Sequence, residues 1–352
     1  MQTATDPTRP ADEAARKDFY RRIDRLDMTP LWSVLGALIT PTPASACQPH
    51  LWRYDELRPY LLEAGGLISA REAERRVLIL ENPGLRGQSR ITTSLYAGLQ
   101  LVMPGEIAPA HRHSQSALRF VVDGSGAYTS VDGERTTMEE GDFVVTPPGA
   151  WHDHGNPSDR PMIWLDGLDI PMVQFFDASF FERHPDEEQP LTRQPGDSLA
   201  RYGANMLPVD YMDHRPVSPI FSYPYDRSRE ALERMRRQDE WDPCHGLKLR
   251  YIDPKSGGFA MPTIAPFLQL LPAGFRTTGY RATDATVFTP VEGRGRSHID
   301  GQVLEWGPRD VFVVPSWRTV RHEADADAVL FSFSDRGVQQ RLGLFREERF
   351  AD

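Results

Sequence analysis

Four of the ten histidines fall within 44 residues: His111, His113, His152 and His154. His111-Arg112-His113 is an i, i+2 pair, and on a strand such residues project from the same face. Two imidazoles so placed can share one metal ion. His152-Asp153-His154 repeats the spacing further along the chain. If both segments face one interior, three or four imidazoles converge there. A lone His-x-His is common on protein surfaces. Two such pairs in order, with Gly and Pro turns between them, point to a metal site drawn from these four histidines. A fourth imidazole would crowd an ion whose chemistry needs open positions. His154 is therefore assigned beside the metal, in proton handling.

Arg119 adds independent information. Residues 111, 113, 115, 117 and 119 share parity, so on one regular strand Gln115 and Arg119 would face the same cavity as the histidines. An unpaired buried guanidinium costs several kcal/mol. Two arrangements relieve that cost: a carboxylate substrate gripped by two prongs beside the metal, or a resident acid such as Asp166.

The elements that must position these residues are strands. Residues 12–27 read as a helix, and 41–49 (PTPASACQP) as a proline-punctuated connection. A second helix is expected from Tyr54, and Ser69-x-x-Glu72 has the form of a capping box. Val77 to Leu80 is an apolar, strand-like run. From about 90 to 170, turns recur every 8–12 residues at Pro104-Gly105, Asp123-Gly124, Asp132-Gly133, Gly141-Asp142 and Pro148-Gly149. This rhythm means a β-sandwich or small barrel. Residues 183–245 are polar and rich in Pro, Asp and Arg, with one helix expected near 229–237, and read as an interdomain connection. The β rhythm then returns. DVFVVPSW at 310–317 resembles GDFVVTPPGAW at 141–151, which suggests an internal duplication. The expected organisation is a helical arm (1–74, with a loose polar start over 1–11), a first β unit (75–182), the connection (183–245) and a second β unit (246–352). In the second unit the stretch answering to the His pair is GYRATDAT (279–286), and Trp317 is followed by Arg318 where Trp151 is followed by His152. His322 alone cannot build a site, so this copy is expected to be metal-free and to serve packing and assembly.

Composition narrows the function. At 352 residues, about two domains are expected. Thirty prolines disfavour a helix bundle. A net charge of −10 argues against nucleic acid as partner. Two cysteines, Cys47 and Cys244, exclude a disulfide scaffold and a Cys-based metal site. No secretory signal and no membrane-length apolar stretch is visible, so a soluble cytoplasmic protein without a membrane partner is expected.

The spacing matches a known pattern. Gly105-x5-His111-x-His113, followed by Gly141-x5-Pro147-x-Gly149-x2-His152-x3-Asn156, resembles the two signatures of the cupin superfamily. The first departs from the usual form, with Ala117 and Leu118 where a Glu ligand is common. PLW (30–32), EAERRVLILENPGL (72–85), the stretch 109–143 and WHDHGN (151–156) extend the likeness. Over nearly the whole chain it resembles the gentisate 1,2-dioxygenase family of bicupin ring-cleaving dioxygenases, which includes salicylate and 1-hydroxy-2-naphthoate dioxygenases. The resemblance implies an all-β fold with peripheral helices, built from two small double-stranded β-helix (jelly-roll) barrels. It implies one Fe(II) per subunit in the N-terminal cupin, held by His111, His113 and His152. It further implies an aromatic carboxylate substrate and O2 as partners, a carboxylate-binding Arg119, and pocket residues Arg75, Tyr96, Gln100, His154 and Asp166. Tyr96 resembles the gentisate enzymes more than the salicylate ones. Gentisate would be opened between its carboxyl- and hydroxyl-bearing carbons to maleylpyruvate, by a homotetramer. Two other readings compete. Another metal cupin, such as an isomerase or a manganese oxalate-degrading enzyme, is disfavoured by the missing Glu and by Arg119. A storage or ligand-binding bicupin is disfavoured by the intact histidines.

Overall fold

The computed structural model describes residues 12–238 and 240–351, so the expected loose start at 1–11 lies outside the described residues. The chain forms two compact units that divide after Ala44. In the first, Asp12 caps the helix Glu13–Asp24 by accepting from the Ala14 and Ala15 N–H groups, and Pro30 opens a second helix, Leu31–Leu38.

The second unit holds four antiparallel sheets, two in each half. In the N-terminal half a six-stranded sheet runs Ser222–Tyr223, Phe143–Thr146, Ala117–Asp123, Met162–Leu168, Tyr96–Val102, Val77–Ile79. A five-stranded sheet runs Phe181–Arg183, Ile107–His113, His152–Gly155, Tyr128–Val131, Glu134–Thr137. The C-terminal half repeats both orders. Its six strands are His50–Trp52, Val311–Val314, Thr286–Glu292, Ala328–Ser334, Ala265–Leu271 and Leu247–Arg250. Its five are Glu347–Arg349, Tyr280–Ala282, Val320–Ala324, Gly295–Ile299 and Gln302–Trp306. The repeat noticed at 141–151 and 310–317 is thus one pair of equivalent strands among many.

Strand alternation explains the core. In the N-terminal six-stranded sheet, Leu99, Leu101, Leu118, Phe120, Ile163 and Leu165 share one core with Leu268, Leu270, Val287, Phe331 and Phe333 of the other half. Phe120 stacks on Phe331 with centroids 4.1 Å apart and planes 10° from parallel. At Gly167 an added Cβ would lie 2.7 Å from the Phe333 ring, so the sheets approach there only without a side chain. The opposite face of the same sheet carries Gln100, Arg119 and Asp166, turned toward the five-stranded sheet of its own half. Strands buried on both faces read as continuous apolar runs.

Three expectations need adjustment. Residues 111–119 are not one strand: the chain leaves the five-stranded sheet at His113, turns, and enters the six-stranded sheet at Ala117. Gln115 lies in that turn, its side chain donating to Ser179 Oγ at 2.9 Å. The helix expected at 229–237 begins earlier, as Tyr225–Arg236, because Pro224 supplies its fixed φ at the start. Trp317 does not answer to Trp151. It takes the left-handed position of Gly149 (φ 62° against 74°). The Trp151 N–H donates to Asp132 as the Thr319 N–H does to Asp300, so Val320 stands where the first half has His152. The Ser69 cap is present, its hydroxyl accepting from the Glu72 N–H at 3.2 Å.

Candidate metal centre

His111 and His113 lie on Ile107–His113, and His152 on the neighbouring antiparallel strand, directly opposite His111. Between them Arg112 points outward to Glu182, with its Nε 2.7 Å from the carboxylate. The turn residues of both motifs draw these strands together. Gly149, in the left-handed region, donates its N–H to the His113 carbonyl at 2.7 Å. The Gly105 N–H reaches the Asn156 carbonyl at 2.7 Å, and the Asn156 side chain donates to the Val102 carbonyl at 2.9 Å. The Gly and Asn positions of the two motifs are therefore partners across the sheet.

One ligand atom from each of His111, His113 and His152 lies within 4.8 Å of the others. Each Nδ1 faces a backbone carbonyl two residues away: Pro109 at 3.2 Å, Gln115 at 3.0 Å and Ala150 at 3.0 Å. At His113 and His152, donation from Nδ1 leaves Nε2 with its lone pair for a metal, whereas at His111 the Arg75 guanidinium, which can only donate, competes with the Pro109 carbonyl for Nδ1. The buried His152 Nε2 has no hydrogen-bond partner. Burial, then the adjacent Arg75, pushes His111 down to about 2. Burial, then Arg119, takes His113 to about 4, and burial holds His152 well below the ordinary imidazole value. The three rings are neutral, as metal ligands must be. The donor set therefore fits a divalent ion that accepts three nitrogens and keeps positions open.

Facing this cluster is a polar patch on the six-stranded sheet. Arg119, 3% exposed, donates from Nη1 to Thr146 Oγ1 at 2.5 Å. Its Nε lies 3.6 Å from Asp166 Oδ1, too long for a hydrogen bond, and has no other partner. Both sequence alternatives for Arg119 thus have a footing: Asp166 stands beside it, yet one prong stays unsatisfied. Burial raises Asp166 to about 6 against the pull of Arg119 and Arg75. Trp164 Nε1 donates to its Oδ1 at 3.1 Å. Arg75 donates to the Glu74 and Pro109 carbonyls and touches His111 Nδ1. Burial brings its guanidinium down to about 9. Gln100 is buried opposite Trp164, and burial followed by the Asp166 charge raises the Tyr96 phenol. His154 lies outside the ligand trio. Its ring meets the Trp164 edge with centroids 5.5 Å apart, its Nδ1 lies 3.0 Å from Thr129 Oγ1, and its buried Nε2 is unpartnered.

Residues 98–168 match the cupin domain model. Gentisate 1,2-dioxygenase 1 from Aquipseudomonas alcaligenes is 64% identical over 97% of this chain and 98% of its own length. The chain belongs to the gentisate 1,2-dioxygenase family. A Streptomyces gentisate 1,2-dioxygenase is 37% identical over 98% of this chain and 99% of its own. The gentisate adduct of salicylate 1,2-dioxygenase from Pseudoaminobacter salicylatoxidans superposes with a TM-score of 0.92 at 33% identity, covering 99% of this chain and 98% of that one. The architecture is that of the bicupin dioxygenases, and the protein is a dioxygenase. Within this family member, sequence reasoning missed Thr129, Thr146 and Trp164. Trp164-x-Asp166 had a findable signal, a shared strand face. The two threonines had none, because their partners come from other strands.

Proposed function

We propose that the protein is a gentisate 1,2-dioxygenase that opens gentisate between its carboxyl- and hydroxyl-bearing carbons, incorporating both atoms of O2 and giving maleylpyruvate. Three converging imidazoles held in their neutral form, opposite a buried guanidinium that has an unsatisfied prong, carry this reading. His111, His113 and His152 would hold one Fe(II) per chain in the N-terminal half. Bound there, ferrous iron supplies open coordination positions and a path for electrons between a chelating hydroxybenzoate and O2. Because the imidazoles are neutral, the metal's charge is uncompensated by its ligands, and Arg75 and Arg119 add to it. Asp166 opposes both, and Asp153 and Glu74 act on Arg75 as well, but with the metal's charge added the pocket attracts an anion. Arg119 grips the substrate carboxylate, and Thr146 and Asp166 hold its side chain in place. Arg75, Gln100 and Tyr96 line the ring's surroundings. His154 Nε2 accepts the phenolic proton, with Thr129 fixing the ring and Trp164 keeping water away.

The choice of gentisate rests on the names of the relatives together with Tyr96. A second substrate, salicylate or 1-hydroxy-2-naphthoate, has support from the salicylate enzyme's structure and from a Nocardioides 1-hydroxy-2-naphthoate dioxygenase 32% identical over 96% of this chain. A cytoplasmic homotetramer is part of the same proposal. Oxygen uptake after anaerobic Fe(II) reconstitution, with gentisate, salicylate and 1-hydroxy-2-naphthoate in parallel, tests the assignment. Gentisate should give the highest kcat/KM and the absorbance of a ring-opened product, with about one iron per chain. Activity that follows stoichiometric manganese, or no oxygen uptake with any of the three acids, would overturn it.

A further inference from the structure

The C-terminal half keeps the cavity of its twin without the metal ligands. At the positions of His111, His113 and His152 stand Tyr280, Ala282 and Val320. The space between its sheets is lined by Lys248, Gln269, Tyr280 and Arg336, among others, and measures about 30 Å³. A water molecule needs roughly 10–15 Å³ by this measure, so there is room for about two or three waters, or for one ion of three or four covalently bonded heavy atoms, which sit closer together than waters do.

Every other cation lining this cavity has an acid. Arg336 pairs with Asp284 at 3.1 Å, Arg281 with Glu348 at 2.5 Å, and Arg318 with Asp300 at 3.1 Å. Lys248 has no carboxylate within 4.0 Å among the described residues. Its ammonium instead lies 4.7 Å from the centroid of Phe267 and 5.8 Å from that of Phe288. Aromatic faces attract a cation but do not neutralise it. Beside it, as its cross-strand partner, Gln269 is 1% exposed. Its Nε2 donates to the His245 carbonyl at 2.7 Å, which fixes the amide, and leaves Oε1 buried without a donor. An ammonium with no carboxylate bonded to it and a buried acceptor with no donor are two polar groups left for a ligand to satisfy. Burial, then Arg336, brings the ammonium down to about 7 against Asp284, Asp242 and Glu347.

We infer that this cavity binds a small planar oxyanion of three or four heavy atoms, of the formate or bicarbonate type. One oxygen takes the Lys248 ammonium. A hydroxyl, as in bicarbonate, or an accompanying water donates to Gln269 Oε1. A tetrahedral sulfate exceeds the space. The duplicated half thereby retains anion recognition after losing the metal, and the bound ion stabilises the folded chain by linkage.

Thermal unfolding of the iron-loaded full chain at pH 7 and fixed ionic strength tests this with sodium formate, sodium bicarbonate and sodium sulfate. Formate and bicarbonate should raise Tm saturably, by about 2–5 °C at high occupancy, whereas sulfate should give only its general, non-saturating stabilisation, equal in wild type and variants. Lys248→Met should abolish the response and raise Tm in the absence of anion. Gln269→Glu, which brings a carboxylate to the ammonium, should raise Tm and also abolish the response, so the test survives if the first variant folds poorly. Equal responses to formate in wild type and both variants, or a saturable response to sulfate that the variants abolish, would overturn the site. Neither result bears on gentisate turnover, which is measured in the other half.

Discussion

Replacing Arg119 with Met removes a guanidinium that occupies the floor of the metal cavity while keeping a similar unbranched stem. Nη1 is committed to Thr146 at 2.5 Å, and Asp166 stands off at 3.6 Å, so Nε and Nη2 remain for an incoming carboxylate. Two hydrogen bonds to a charged group, at about 1.5–3 kcal/mol each, give about 3–6 kcal/mol. That range overlaps the roughly 2–5 kcal/mol typical for truncating one member of a buried charged pair. At about 1.4 kcal/mol per factor of ten, kcat/KM for gentisate should fall by about 140- to 20,000-fold. The assay is oxygen uptake by iron-loaded protein whose metal content and far-UV spectrum match wild type. Lys at the same position keeps the charge and loses the fork, so it should recover about tenfold of the deficit. A loss below about fivefold in the Met variant would show that the guanidinium serves Asp166 alone.

Other perturbations probe separate parts of the molecule. His152→Ala should lower iron from about one per chain to under a tenth, measured by elemental analysis after anaerobic loading; full retention would remove the ligand assignment. Phe331→Ala, which deletes the ring stacked on Phe120, should destabilise by about 3–5 kcal/mol in urea unfolding, and a cost under 1 kcal/mol would mean the two halves do not share a core. Burial raises Asp169 and Asp335 to about 6 each. A raised folded-state value means the folded chain holds the proton more tightly. Stability from these groups is complete below about pH 4 and is lost as pH climbs through 6. Asn at both positions should flatten that part of the curve of urea midpoints between pH 4 and 7; an unchanged slope would place the dependence elsewhere.

Much of this was written into strand periodicity. The His-x-His spacing announced a shared face, and both pairs are on strands as read. The turn signals at Gly105, Gly141 and Gly149 are left-handed glycines at strand ends. Arg119 was directed to the right cavity by a faulty argument, since parity does not carry through the turn at 114–116. What brings it there is the register of Ala117–Asp123 against Met162–Leu168, with Arg119 opposite Asp166. Thr129 beside His154 and Thr146 beside Arg119 were illegible for the same reason: sheet neighbours are chosen by topology, and 25 or 27 residues of chain separate each pair. The equivalence of Trp317 with Gly149 was hidden because only a backbone angle, not a residue type, reveals it.

The outermost short strands of the two long sheets are exchanged along the chain. His50–Trp52, upstream of the whole N-terminal half, finishes the sheet of the C-terminal half, whereas Ser222–Tyr223 finishes the sheet of the N-terminal half from downstream. A fragment starting near residue 245 would therefore lack one of its own strands and expose a raw backbone edge open to aggregation. Separately expressed fragments of this gene should remain soluble only when the upstream piece carries residues 50–52 and is made alongside the downstream one. Such reciprocal lending would also have made an ancestral gene fusion hard to reverse, binding the redundant copy to its partner however little chemistry it retained.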